Sequence, residues 1–348
     1  MYELWYAIVA LMLTAYVVLD GYDFGAGALH LVVARNNVER RQVLAAVGPF
    51  WDANEVWLLA SGGALFVAFP RALAAGLSGF YLAIFLVIWM LILRAVSIEF
   101  RGHLADGLWR SFWDRAFAAA SALLAILFGA AIGNVVRGVP LTDDGWFELT
   151  LFTSFLPQSP VGILDWYTVL VGLFAFVALV GHGAVFLAWR TEGPVHDRSR
   201  AIARVVFMAL AVTWPLATWA THTVNPGILG ALPERPLAWL GIAAAGGGLF
   251  AVFVGVSRAR PLVAFLGSCA WIAGMLGATA ACLYPVILRA LPDPELSITA
   301  LNAGTAPRGL RIATGWWSVG FPIVVLYFFI LFRLHRGKVV AAREGEGY

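Results

Sequence analysis

WYAIVALMLTAYVVLDGYDFGAGALHLVVA, residues 5–34, is a 30-residue apolar run whose acidic residues are Asp20 and Asp23. Wound as a helix with a rise of about 1.5 Å per residue, it outspans the ~30 Å hydrocarbon core of a bilayer. It is also too long and continuous for a barrel strand, which alternates over about ten residues. The pattern recurs. Apolar runs bounded by charge, Pro or Gly fall at roughly 5–34, 48–70, 76–100, 115–137, 163–190, 202–223, 237–257, 261–287 and 315–334. The expectation is an all-α, polytopic integral membrane protein with nine transmembrane helices.

Composition agrees. Of the 348 residues 61% are hydrophobic and 12% charged, against about 25% charged in a soluble chain. A soluble core of this size cannot hide that much apolar surface, so lipid must solvate much of it. The net charge of +3 is scattered over short loops, which points away from nucleic acid and towards topology signals. Sixteen of the 23 Lys and Arg (Arg35, Arg40, Arg41, Arg101, Arg110, Arg115, Arg190, Arg198, Arg200, Arg204, Arg258, Arg260, Arg333, Arg336, Lys338 and Arg343) fall on one side of a nine-span chain, and six on the other. Basic residues favour the cytoplasmic side, so the N-terminus is expected outside and the C-terminus inside. The N-terminus lacks the basic n-region of a signal peptide. Cys269 and Cys282 share one expected helix, about 20 Å apart, too far for a disulfide, and neither lies in a CxxC or CxxCH motif.

Ionisable residues within spans are functional candidates because charge near the bilayer centre is costly. Asp20 and Asp23, at i and i+3, share a helix face, and Gly21 and Gly25 form a seam for close helix approach. The pair either serves a functional site or merely hydrogen-bonds neighbouring helices. At the start of the second span, Pro49-Phe50-Trp51-Asp52-Ala53-Asn54-Glu55-Val56-Trp57 places Asp52 and Glu55 at i and i+3. Asp52 could act as a helix-start device, whereas Glu55 lies deeper. Arg94 in the third span, with Glu99 and Arg101 nearer its end, either snorkels to the interface or is a buried counter-ion. His182 is the one histidine deep in a span. A lone histidine is weak support for haem ligation, and an interhelical hydrogen bond or packing role is expected of it. Gly246-Gly247-Gly248 suggests packing or bending.

The segments Leu19-Asp20-Gly21-Tyr22-Asp23-Phe24-Gly25, Trp51-Asp52-Ala53-Asn54-Glu55-Val56-Trp57-Leu58 and Arg94-Ala95-Val96-Ser97-Ile98-Glu99-Phe100-Arg101 resemble those of subunit II of cytochrome bd-type quinol oxidases, including the cyanide-insensitive type. Ala53 departs from the family, which more often has Gly there. The specific motifs cover about the first hundred residues. The resemblance implies two four-helix bundles, over 1–140 and 160–290, plus a peripheral helix over 312–338. It implies a subunit I partner in the bacterial cytoplasmic (inner) membrane, carrying haem b and haem d and oxidising quinol to reduce dioxygen. It implies that subunit II holds no haem and, in some members, a structural quinone. A small single-span accessory subunit and membrane lipid are further partners it allows. Asp20, Asp23, Asp52, Glu55 and Arg94 would form a proton path or buried charge group, with Trp51, Asn54, Trp57, Glu99 and His182 in support. The same acids would also suit a proton-coupled secondary transporter, and a third possibility is a pure scaffold for subunit I.

Overall fold

In the computed structural model, residues 1–158 and 160–339 are described; Arg343 of the charge count lies outside them. The helices are α1 (Tyr2–Val33), α2 (Asn37–Val47), α3 (Trp51–Ala68), α4 (Pro70–Gly79), α5 (Tyr81–Phe100), α6 (Gly107–Arg137), α7 (Trp166–Arg190), α8 (Pro194–Val224), α9 (Pro226–Ala231), α10 (Pro236–Ser257), α11 (Pro261–Leu283) and α12 (Pro307–Leu334). Eight of them, α1, α5, α6, α7, α8, α10, α11 and α12, are long and apolar enough to cross a membrane. The expected second span differs. It appears as α3, whose 18 residues are diluted in apolarity by Asp52, Asn54 and Glu55, and it ends where Pro70, unable to donate a backbone hydrogen bond, starts α4.

Helix boundaries follow local chemistry. Asn36 caps α2 by accepting from the Glu39 N–H (2.9 Å), and Asp106 caps α6 by accepting from the Trp109 N–H (2.8 Å). Asp165 accepts from the Tyr167 and Thr168 N–H groups while the Thr168 hydroxyl accepts from the Asp165 N–H, a reciprocal cap that starts α7. Pro194, Pro236, Pro261 and Pro307 each occupy a first helical position, where a missing N–H does no harm. The short strands β1 (Val286–Leu288) and β2 (Ile298–Thr299) pair antiparallel, Val286 opposite Thr299 and Leu288 opposite Ile298. A bridge from Val139 to Ala290 joins the two long loops.

Helix α1 is central, packing on α3, α6, α7 and α11. Its tightest crossing is with α7: a Cβ on Gly25 would collide with the Leu179 carbonyl, and one on Gly183 with the Gly25–Ala26 backbone. Helices α10 and α11 also meet backbone to backbone. A Cβ on Gly248 would lie 2.5 Å from the Gly267 carbonyl oxygen, whereas Gly246 and Gly247 face open space. With little hydrophobic drive between helices in lipid, such close packing supplies much of the association. Helix α12 lies outside the bundle, and none of its most apolar stretch is buried. It touches α3 through Trp57, whose ring meets Phe321 (6.3 Å) and Phe328 (5.7 Å). Cys269 and Cys282 both lie in α11 as free thiols.

This packing sets an expectation. Gly25→Ala should sharply reduce the folded protein recoverable from membranes, while Gly62→Ala, where nothing lies within 4 Å of the added Cβ, should leave it near wild type. Detergent-extracted yield and thermal unfolding of the two variants check this.

Candidate functional site

The centre of the first half is a buried charge cluster built on α1, α3 and α5. Asp20, Asp23 and Arg94 are all fully buried. Arg94 Nη2 donates to Asp20 Oδ1 (2.9 Å) and to Glu55 Oε1 (2.6 Å), and the guanidinium lies 4.7 Å from the centre of the Phe24 ring. Arg94 is therefore a buried counter-ion and does not snorkel. Asp23 is held by Asn54, whose amide donates to Asp23 Oδ2 (2.8 Å), the Tyr22 hydroxyl (2.9 Å) and the Leu19 carbonyl (3.1 Å). Several polar atoms at the cluster, Arg94 Nε and Nη1, Asp20 Oδ2, Asp23 Oδ1 and the Tyr16 hydroxyl, are buried without a hydrogen-bond partner among the described residues. Buried polar atoms of this kind call for water or a second molecule.

Glu55 forms the edge of the cluster. Its side chain is 24% exposed, whereas those of Arg94 and Asp20 are sealed. Asp52 is not drawn in; it is exposed on the outer face of α3. Three residues place side chains about 60° apart around a helix, so the expected common face divides, Glu55 turning inward and Asp52 outward. Along that outer face lie the exposed Val56, Leu59 and Phe66, and α5 also exposes Phe85, Ile88, Trp89 and Ile92. Trp51 is half-buried and Trp57 buried. Glu99 is exposed at the end of α5, its carbonyl 3.0 Å from His103 Nδ1. His182 is separate from the carboxylates. It joins three helices, Nε2 lying 2.9 Å from the Val18 carbonyl oxygen and Nδ1 2.7 Å from Ser268 Oγ, with the ring stacked on Phe265.

Two further charge groups escaped the sequence reading. Asp114 of α6 receives His30 Nε2 of α1 (2.7 Å), Arg40 Nη1 of α2 (2.9 Å) and Arg101 Nε at the end of α5 (2.5 Å). Arg101 Nη2 also donates to Asn37 Oδ1 (2.9 Å). One carboxylate thus joins four elements at the arginine-rich end. At the opposite end Arg137 pairs with Asp165 and donates to the Gly162 carbonyl (2.9 Å) and Asn134 Oδ1 (2.7 Å). Asp114 stands beside Arg115 and close to Arg110, so in the sequence it looks like a solvated loop charge; its apolar neighbours Phe112, Trp113 and Phe117 are the signal that could have marked it.

A second feature is an apolar cavity of about 350 Å³ between α1, α6, α7, α8 and α11. Its walls include Phe24, Phe128, Phe174, Trp214 and Met275, and its few polar positions include Tyr16, Tyr167 and Thr221. Among the described residues no group of three His, Cys, Asp or Glu could hold a metal ion.

Comparison with known proteins decides the family. The model of cytochrome bd terminal oxidase subunit II matches residues 1–335. The chain belongs to this family. Subunit II relatives are close to it in length: the chain is 29% identical over 350 residues to cytochrome bd-I ubiquinol oxidase subunit 2 of Escherichia coli K12, covering 93% of this chain and 91% of that protein. It is 32% identical over 225 residues to cytochrome bd ubiquinol oxidase subunit 2 of Bacillus subtilis, covering 64% of each. Among solved structures, a chain of the bd oxidase from Geobacillus thermodenitrificans has the same fold, with a TM-score of 0.75 at 16% identity, over 96% of this chain and 98% of that one.

Asp114→Ala would remove the carboxylate that pairs with the buried Arg101 and the partly exposed Arg40. Removing one member of a buried ion pair costs about 3–5 kcal/mol. Thermal unfolding in detergent should show a clear drop for Asp114→Ala, against little change for a control such as Asp143→Asn in a loop.

Proposed function

We propose that this chain is the non-haem subunit of a quinol:oxygen oxidoreductase in the bacterial cytoplasmic membrane, assembled with a haem-bearing subunit I, and that its buried carboxylates carry protons towards the oxygen-reducing haem. The names of its relatives support the oxidase role. The observation that carries the proton role is Glu55, which bridges the sealed Arg94–Asp20 pair and the surface of α3. Reduction of dioxygen to water consumes protons as well as electrons, so a haem buried in protein needs a supply of both. Carboxylates in apolar surroundings hold and release protons more readily near neutral pH than exposed ones do. Arg94 Nη2 holds Asp20 and Glu55 on one donor atom, so the two carboxylates stand close enough for a proton to pass between them. Asp52, on the exposed side of α3 among apolar neighbours, would stand at the contact with subunit I.

Both ring nitrogens of His182 are engaged, and His30 is tied to Asp114 through Nε2. The engagement of His182 on both ring nitrogens supports placing haem b and haem d on subunit I. The apolar lining of the cavity, with hydroxyls on its wall, supports the reading that a structural quinone would bind there. We count α3 as a ninth crossing: its polar residues Asn54 and Glu55 face protein, and beyond Asp52 in its first turn its exposed side is apolar. Nine crossings divide into bundles over 1–140 and 160–290 and a peripheral helix over 312–338. With the arginine-rich end inside, the N-terminus lies outside. An accessory single-span subunit and bound lipid would take other parts of the exposed apolar surface. Proton-coupled transport gains no support from the family.

A complex purified through a tag on this chain should carry haem absorption; a haem-free preparation would contradict the oxidase reading. In liposomes, Glu55→Gln and Asp20→Asn should lower oxygen consumption about tenfold or more, as removal of a proton-transfer group does, with haem content retained. Asp52→Asn should slow turnover in an assembled complex. Wild-type turnover in all three would remove the proton role.

A further inference from the structure

Phe50, immediately before α3, is fully buried although it lies at the end of the bundle. The end of α12 and the residue after it cover it: Phe332 stacks on its ring at 4.8 Å and His335 meets it edge-on at 5.8 Å. The Arg190 guanidinium, at the end of α7, lies 5.5 Å from the same ring. Beyond α12 the chain turns at Gly337, whose φ of +103 favours glycine, and lies along the end of α7. There the Val339 N–H donates to the Arg190 carbonyl (2.7 Å) and Arg190 Nη1 donates to the Gly337 carbonyl (2.6 Å). Lys338 Nζ donates to the carbonyls of Thr191 (2.9 Å) and Ala188 (3.2 Å), and Gln42 of α2 donates to the Val339 carbonyl (3.1 Å).

Two of these contacts have a general cause. The last carbonyls of a helix lack intrahelical partners, and an ammonium there also meets the negative end of the helix dipole. Fixing the backbone of a segment costs conformational entropy. A peripheral helix gains little by continuing as an ordered segment unless such bonds hold it. The segment therefore joins α7, α2 and the start of α3 at one point. From that point a rigid connection runs to the charge cluster. The Phe50 carbonyl accepts the Asn54 N–H (2.9 Å), and Asn54 is the residue that binds Asp23. Glu55 follows directly and reaches Arg94.

We propose that Gly337–Val339, acting with Arg190 through Phe50, is a positioning strap for the first turns of α3, setting where Asn54 meets Asp23 and where Glu55 meets Arg94. The inference rests on the proton-path reading above. Gly337, Lys338 and Val339 touch no reacting group; they are positioning residues. Displacement of Phe50 is passed along α3 because successive helical turns move together, so loss of the strap loosens Asn54 and Glu55 without removing either.

The test uses the assembled complex in liposomes, with chains truncated after Val339 and after His335, and the point variants Lys338→Ala and Lys338→Arg. Four quantities are read: haem content, kcat, KM for quinol, and hydrogen–deuterium exchange over residues 50–58. Truncation after Val339 should match the full chain. Truncation after His335 should lower kcat about fivefold, equivalent to roughly 1 kcal/mol of barrier, with KM for quinol unchanged and faster exchange over 50–58. Lys338→Ala should do the same to a smaller degree, and Lys338→Arg should restore both readouts. If the longer truncation prevents assembly, Lys338→Ala alone decides by the same two readouts. Wild-type kcat and exchange in haem-replete complexes lacking the strap would overturn the inference. Faster exchange with wild-type kcat, while Glu55→Gln is slow, would overturn the positioning role and leave the proton path standing. Wild-type turnover in Glu55→Gln would instead overturn the path and the strap's role in it.

Discussion

A guanidinium sealed inside a membrane helix bundle is the constraint around which the first half of this protein is arranged. Arg94 cannot shed its proton, so burial commits the fold to supplying negative charge and hydrogen-bond acceptors beside it. Two come from different helices, Asp20 from α1 and Glu55 from α3. Three helices are thereby fixed in register at one depth. Asn54 completes the arrangement by holding Asp23, which would otherwise face Asp20 along the same helix with less support.

That arrangement depends in turn on backbone proximity elsewhere. Asp20 and Asp23 sit within one turn of Gly21 and Gly25, and the glycine face of α1 lies directly against α7. The close crossing fixes the rotation of α1, directing the acids away from α7 and towards α3 and α5. At the arginine-rich end, Asp114 ties α1, α2, α5 and α6 together, so the cluster is clamped from below as well as from the side. The proposed proton transfer would need that rigidity, because partners must stay within hydrogen-bond reach while their charges change.

Much of this was legible in the residues. Long apolar runs gave the spans, and acids and an arginine embedded in them were conspicuous because lipid makes them costly. The unread parts share a physical cause: they depend on distance in space, not on local pattern. Asp114 is 84 residues from His30 and 74 from Arg40, and nothing near it in sequence announces either partner. The opposite fates of Asp52 and Glu55 depend on which side of α3 meets α5, which a spacing of three does not decide. Helix α3 falls short of the apolarity of its neighbours because the residues that build the site are polar. The strap is invisible in sequence because its bonds use backbone carbonyls, which every residue has.

The claim that Asp20 and Glu55 exchange protons during oxygen reduction is tested most directly by infrared difference spectroscopy of the assembled complex as its haems are reduced and reoxidised. The account predicts a change in the protonated-carboxyl stretching region that disappears in part in Glu55→Gln and in Asp20→Asn. A difference spectrum identical in the wild type and both variants would contradict it.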